Sequence, residues 1–389
     1  MAEVVIVDAV RTPMGRFQGK LAQFSATDLG AAAIKAIKDR NSLKGDEVDE
    51  VIIGNVVQAG VGQAPARQAS IKGGISPSVP ALTVNKVCGS GMKAILLAAQ
   101  AIKAGDAKIV IAAGMESMSN APYLLKGARS GLKYGDQKLV DSIVIDGLWS
   151  SFDGKIMGDA AEYTATKSKI SREEQDRFAY QSHMKAVKAI QNGKFKNELI
   201  PLQAQDGPIE QDETPRLDTT IEKLAKLKPA FKDGSTVTAG NAPGLNDGAA
   251  ALLICSKEEA KKRGYKPLAT IVDYAVAGTA PIDLFYAPVE STRKLMAKMK
   301  VNVNAFDLIE VNEAFASQTL ADGKELEWDW DRVNVNGGAI ALGHPIGCSG
   351  ARIVGTLVWA MKDRGAELGL ATICMGGGNG ISLAVRRAA

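Results

Sequence analysis

Two stretches of this 389-residue chain share one pattern and decide its fold: Cys88-Gly89-Ser90-Gly91-Met92-Lys93 and Cys348-Ser349-Gly350-Ala351-Arg352. Each sets a cysteine and glycines at the head of an apolar run. Before the first, Leu82, Val84 and Val87 have strand character, and residues 92–103 after it are rich in helix formers. Gly89 and Gly91 let the backbone turn sharply between the two. A thiol at a helix start meets the positive end of the dipole and unpaired N–H groups, which favour the thiolate. Cys88 is therefore the first candidate nucleophile.

Outward from this pair, the whole chain repeats. Val4-Val5-Ile6-Val7-Asp8-Ala9-Val10 resembles Ala269-Thr270-Ile271-Val272-Asp273-Tyr274-Ala275, each followed by an expected helix, at residues 26–40 and 288–300. Asp49-Glu50-Val51-Ile52-Ile53-Gly54 parallels Asp307-Leu308-Ile309-Glu310-Val311-Asn312. Strands expected at 109–115 and 369–375 lie at the same offset as the two cysteines. Asp247-Gly248-Ala249-Ala250-Ala251-Leu252-Leu253-Ile254 matches Asn379-Gly380-Ile381-Ser382-Leu383-Ala384-Val385. The first half carries far more chain ahead of this last strand, so residues 118–242 read as an insertion. The expectation is an α/β protein of two similar βαβ-based halves packed as layers. One half comprises 1–117 and 243–268, the other 269–389, with 118–242 a loop domain inserted in the first. Alternating strands and helices predict largely parallel sheets, with functional groups at strand C-terminal ends.

Composition narrows the function. Charged residues make up 23%, hydrophobic residues 46% and aromatic residues 5%, with net charge +4. That describes a globular chain with neither the basic clustering nor the stacking groups of a nucleic-acid binder. No run approaches the ~18 apolar residues of a membrane span. The N-terminal Met1-Ala2-Glu3-Val4 enters a strand at once, so no targeting peptide is expected, and Arg386-Arg387-Ala388-Ala389 is no recognised address. Cys88, Cys255, Cys348 and Cys374 lack C-x-x-C spacing, so neither a metal site nor disulfides are expected, and the setting is reducing and cytoplasmic.

There are two histidines. His183 lies in a polar helix opened by a Ser171–Glu174 capping box and reads as a surface or half-buried residue. His344 lies in the glycine-rich loop Asn334 to Gly350, before an apolar helix expected from near Ala351. By elimination it is the candidate base. Cys374 ends an apolar strand that runs into Gly376-Gly377-Gly378-Asn379-Gly380. So much glycine suggests close approach to a ligand or backbone, and free N–H groups for an oxyanion hole.

Five segments in order resemble the thiolase family end to end. They are Val10-Arg11-Thr12-Pro13-Met14-Gly15, Asn85-Lys86-Val87-Cys88-Gly89-Ser90-Gly91 and Asn312-Glu313-Ala314-Phe315-Ala316, then Gly337-Gly338-Ala339-Ile340-Ala341-Leu342-Gly343-His344-Pro345 and Cys374-Met375-Gly376-Gly377-Gly378. The resemblance implies an acetyl-CoA acetyltransferase joining two acetyl-CoA to acetoacetyl-CoA, or the reverse, assembled as a homodimer or homotetramer. Coenzyme A would be substrate and product, with no permanently bound cofactor and no metal. It implies that Cys88 carries the acyl group, that His344 activates it, and that His344 with an Asn312-held water lines one oxyanion hole. Cys374 would move the C2 proton, and the N–H groups of Cys88 and Gly376 would form the second hole. Leu148, Met157, Phe231, Ala239 and Phe315 would line the pantetheine and acyl path, and Arg216 would approach the nucleotide. Glu313 reads as structural and Cys255 as inert core. Two positions depart from the family pattern: Ile156, where short-chain members often carry His, and Pro243, where many carry Ser. The alternatives are a longer-chain 3-ketoacyl-CoA thiolase and, from another class, a non-catalytic acyl-CoA or lipid-binding relative. A decarboxylating ketoacyl synthase pairs its cysteine with two active-site histidines, which His183 is badly placed to supply.

Overall fold

The computed structural model describes residues 2–388 apart from Asp233. The first half runs β1 (Val4–Arg11), α1 (Ala26–Arg40), β2 (Glu50–Gly54), α2 (Pro65–Lys72), β3 (Ala81–Val84), α3 (Ser90–Ala104) and β4 (Ile109–Ser117). The chain then leaves the sheet for an excursion whose main helices are α4 (Met157–Ser168) and α5 (Arg172–Gln191). It returns as β5 (Asn246–Ser256). The second half runs β6 (Ala269–Gly278), α6 (Ala287–Met299), β7 (Leu308–Val311), α7 (Ala316–Glu325), α8 (Ala339–Leu342), α9 (Ile346–Arg364), β8 (Leu368–Met375) and β9 (Asn379–Arg387). Ser25 and Ser171 cap α1 and α5 with reciprocal capping boxes.

Strand order displays the repeat. The first half reads β3-β2-β4-β5-β1 and the second β7-β8-β9-β6, so among the described residues the second half lacks one edge strand. Its place is held by a single parallel bridge between Ile309 and Val333. The halves join through β1 and β6, where Val5 faces Thr270 and Ile6 faces Ala269.

The sheet is mixed, not largely parallel. Only β2–β3, β2–β4 and β7–β8 run parallel, while the other five pairings among these strands are antiparallel. The reason is connection length. A parallel crossover needs a dozen or more residues, but β8 and β9 are separated by Gly376–Gly378 alone. They close a hairpin in which Met375 faces Asn379, and Gly377 and Gly378 turn it at φ +81° and +84°. In the first half the whole excursion spans the same gap, and Ser117 of β4 still faces Asp247 of β5.

Helices α3 and α9 form the middle layer. Both halves turn one sheet face onto them, through Val110, Ala112 and Leu252 on one side and Ile373, Ile381 and Leu383 on the other. Helices α1 and α2 cover the outer face of the first half and α6 that of the second. The result is five layers, helix–sheet–helix–sheet–helix. The two middle helices cross where both have glycine. A Cβ on Gly91 would lie 2.7 Å from the Ala351 nitrogen, and one on Gly350 would run into the Met92 nitrogen. That crossing fixes the heads of α3 and α9, and with them Cys88 and the loop of His344.

Two local expectations need correction. The final helix begins at Ile346, directly after Pro345 (φ −67°), rather than near Ala351, and the preceding loop contains the helical turn α8. Gly347 and Gly350 disfavour a helix by propensity, but burial along this face overrides them. His183 is buried, 6% exposed, not at the surface. Its helix is polar by composition, yet α8 and α7 cover its inner face. Among the described residues no helix is long and apolar enough to cross a membrane, and no cluster of His, Cys, Asp or Glu could hold a metal.

Candidate active site

Cys88 is half-buried, one residue outside α3, whose cap is Gly89. The turn that presents it is strained. Val87 has φ +48°, a region β-branched residues rarely enter. Hydrogen bonds over-determine the turn. The Val87 N–H donates to Asn85 Oδ1 at 3.0 Å, and Ser90 donates to the Val87 carbonyl through both its N–H (3.0 Å) and Oγ (2.6 Å). The Lys86 N–H closes the ring onto Ser90 Oγ at 2.8 Å. The expected lowering of the thiol pKa is not what the site produces: burial pushes Cys88 up to about 12, and the N–H groups of Gly376 and Cys88 itself pull against it. With its sulfur outside the helix and desolvated, Cys88 rests as the thiol and needs a base.

His344, on the same cavity as Cys88, is the candidate. It is buried, and its Nδ1 lies 2.6 Å from Ser349 Oγ. That hydroxyl donates to the Pro345 carbonyl at 2.9 Å, so it accepts from Nδ1–H and leaves Nε2 unprotonated. The His344 N–H donates to Asn246 Oδ1 (2.8 Å), whose amide donates to the Gly15 carbonyl (2.8 Å). Burial and the nearby Arg352 charge push the imidazole down to about 3, so it is neutral at physiological pH. Cys374 is 1% exposed, and burial with the neighbouring Cys88 holds its thiol well above the ordinary range. As a thiolate it would be a strong base.

These groups share one cavity of about 310 Å³, overwhelmingly apolar. Cys88, His344, Cys374 and Gly376 line it, and so do Leu148, Met157, Phe231, Ala239 and Phe315. Phe315 stacks edge-on against both Phe231 (6.3 Å) and Phe285 (5.4 Å). The departures Ile156 and Pro243 also face the cavity. Asn312 does not line it. Its side chain is buried, and neither Oδ1 nor Nδ2 has a partner among the described residues, which suits a residue that holds a water. Arg216 opens on an adjoining cavity that shares Ala239, Ala242, Gly244 and Leu245 with the first. Arg16, Arg216 and Lys223 line this second space with Glu213 and Asp218, so it is charged where the first is apolar.

Glu313 is held by Ser182 Oγ (2.8 Å), Asn334 Nδ2 (2.8 Å) and the Ile340 N–H (3.0 Å), tying α5 to α8 away from the chemistry. Cys255 and Cys348 are fully buried in core clusters. Sequence reasoning missed Ser349, Asn246 and Glu116. Buried Glu116 accepts from Asn55 Nδ2 (2.7 Å) and from the N–H groups of Val56 (3.1 Å), Val57 (3.2 Å) and Gly347 (2.8 Å), pinning the start of α9 to β4. A carboxylate closing an apolar strand was the available signal.

Known proteins carry the same design over the full length. The chain matches the model of the thiolase N-terminal domain over residues 4–258 and that of the thiolase C-terminal domain over 265–387. It is 53% identical to the acetyl-CoA acetyltransferase of Pseudomonas aeruginosa over 392 aligned positions, covering 100% of both proteins. An Escherichia coli acetyl-CoA acetyltransferase is 51% identical, again with 100% of each covered. The crystal structure of human mitochondrial 3-ketoacyl-CoA thiolase superposes with TM-score 0.96 at 41% identity, over 100% of this chain and 99% of that one. Two family domains in order, a shared fold and relatives aligned end to end leave one conclusion: the chain belongs to the thiolase family.

Proposed function

We propose that the chain is an acetyl-CoA acetyltransferase, joining two acetyl-CoA into acetoacetyl-CoA and CoA, and running the reverse thiolysis. The observation that carries this reading is the convergence of Cys88, His344, Cys374 and Gly376 on one apolar cavity from three separate segments. In the first step Cys88 Sγ attacks the thioester carbonyl while His344 Nε2 takes its proton. The carbonyl oxygen gathers charge, and the departing CoA thiolate leaves with the proton from His344. In the second step Cys374 passes its proton to His344 and removes one from C2 of a second acetyl-CoA. The carbanion attacks acetyl-Cys88, whose sulfur leaves and is reprotonated from His344. The N–H groups of Cys88 and Gly376 stabilise one oxyanion, and His344 with a water on Asn312 the other. The apolar walls exclude water that would quench the carbanion or hydrolyse the thioester. CoA is substrate and product, and no resident cofactor takes part.

Ser349 positions the base in this scheme. Ser349→Ala removes the group that holds Nδ1–H, and kcat for thiolysis is expected to fall about tenfold with KM nearly unchanged, in line with one lost hydrogen bond. A wild-type kcat would dismiss this tautomer assignment.

The acetyl-CoA acetyltransferases that share half of this chain's residues end to end favour a short acyl group, and Met118, Leu284, Phe285 and Ile346 add bulky apolar walls to the cavity. Thiolysis of 3-ketoacyl-CoA from four to sixteen carbons tests the length. Activity is expected to concentrate on four carbons, with each further pair of methylenes costing roughly tenfold or more. Comparable rates at eight carbons and beyond would support the longer-chain alternative instead. Cytoplasmic residence and a homodimer or homotetramer complete the reading. The open outer edge of β3, with Leu82 43% exposed, offers an edge for a second copy.

A further inference from the structure

The charged cavity beside the active site contains a buried histidine that the chemistry above leaves idle. His183 projects from α5 and lines this cavity together with three cations, Arg16, Arg216 and Lys223, and two carboxylates, Glu213 and Asp218. Its Nδ1 accepts the backbone N–H of Arg216 at 3.2 Å. Arg216 lies in an irregular stretch, residues 210–219, without helix or strand. Other bonds tie this stretch down on either side. Upstream, the Glu213 N–H donates to the Met14 carbonyl at 3.0 Å, and Glu213 accepts from the Lys20 N–H at 3.1 Å. Downstream, the Lys223 ammonium holds Asp218 at 2.8 Å. Between these anchors, the His183 bond is the side-chain contact that fixes the Arg216 backbone. Burial and the charge of Arg216 push the imidazole down to about 4, so Nδ1 is available as an acceptor across the physiological range.

A thioester seated with its sulfur at Cys88 must send the rest of its carrier out of the apolar cavity. The wall formed by Ala239, Ala242, Gly244 and Leu245 is common to both spaces, so the carrier's phosphorylated nucleotide end is led to the guanidinium groups of Arg16 and Arg216, Lys223 being paired with Asp218. We infer that His183 is a positioning residue for the nucleotide end of CoA, setting the Arg216 backbone so that its guanidinium meets the phosphates. This rests on the CoA-dependent reading above. His183 touches no reacting atom, so it should govern affinity for the carrier and leave the chemical step alone.

The test compares His183→Phe, which keeps a ring but loses the acceptor, with His183→Asn, whose Oδ1 takes the place of Nδ1. Each is assayed in thiolysis with CoA and with N-acetylcysteamine, a truncated thiol that lacks the nucleotide. His183→Phe is expected to raise KM for CoA about three- to tenfold, the loss of one hydrogen bond, with kcat unchanged and no effect with N-acetylcysteamine. His183→Asn should restore the wild-type KM. Should the phenylalanine variant fail to fold, His183→Met fills the space with a flexible side chain and predicts the same split. An unchanged KM for CoA in a folded variant without the acceptor would overturn the inference. So would a loss that appears equally with N-acetylcysteamine, since that marks a general structural role. Calorimetric CoA binding reads the same difference without turnover. Wild-type protein that binds CoA but cleaves no 3-ketoacyl-CoA would refute the acyl-transfer reading alone.

Discussion

Replacing Cys88 with serine is expected to abolish turnover in both directions, by on the order of 10⁴–10⁶ in kcat. Burial leaves Cys88 protonated, and the strained Val87 turn aims it into the cavity that His344 also lines. A thiol whose proton must be removed during attack is still within reach of a neutral imidazole. A serine hydroxyl is several pK units harder to deprotonate, and an oxygen ester would be a poorer acyl donor to the carbanion. Steady-state thiolysis and condensation assays check the loss, with a thermal melt to show that the variant folds. Because Ser and Cys differ little in size and the turn is held by backbone and Ser90 contacts, stability should change by less than about 1 kcal/mol. Retention of more than a few per cent of wild-type activity would remove Cys88 from the nucleophile's role.

Cys374→Ser should separate the two half-reactions. Acylation of Cys88 needs only Cys88, His344 and the oxyanion donors, so transfer of acetyl from acetyl-CoA to the enzyme is expected to survive within about tenfold. Condensation requires a base at C2, and loss of a positioned general base costs roughly 10²–10⁴. The effect should lie at the upper end, because burial makes the Cys374 thiolate a stronger base than an ordinary one. Isotope exchange between acetyl-CoA and CoA follows the first half-reaction, and acetoacetyl-CoA formation follows the second. An equal loss in both would mean that Cys374 supports the fold of the site rather than the C2 proton.

The repeat was legible because it is written in strand and turn residues: the match of Val4–Val10 with Ala269–Ala275 reappears as β1 beside β6. The sheet's direction was not legible. Alternation of strand and helix does not say that β8 and β9 are a hairpin, and three glycines after Cys374 read equally well as a ligand loop. At the site, rarity singled out His344, and glycine context singled out Cys88 and Cys374. The supporting shell was hidden because it is held by single contacts between segments far apart in the chain: Asn246 to His344, Glu116 to Gly347, and His183 to Arg216. Ser349 shows the opposite difficulty. It lies five residues from His344 and was visible, but its role depends on α9 starting at Ile346, a start that propensity places too late.

Asymmetry is the center of the account. Cys88 and Cys348 occupy matching places in the repeat, yet Cys348 is sealed between β strands and helices while Cys88 opens on the cavity. The partner proposed for Cys88, Cys374, comes instead from the end of β8. The most direct test is to incubate the Cys374→Ser protein with acetyl-CoA, quench, and locate the acetyl group by peptide mass spectrometry. The account predicts one acetyl thioester on Cys88, none on Cys348 or Cys255, and acetoacetyl-CoA formed at least about a hundredfold more slowly than by the wild type. An acetyl group on any other residue, or acetoacetyl-CoA formed at the wild-type rate, would contradict it.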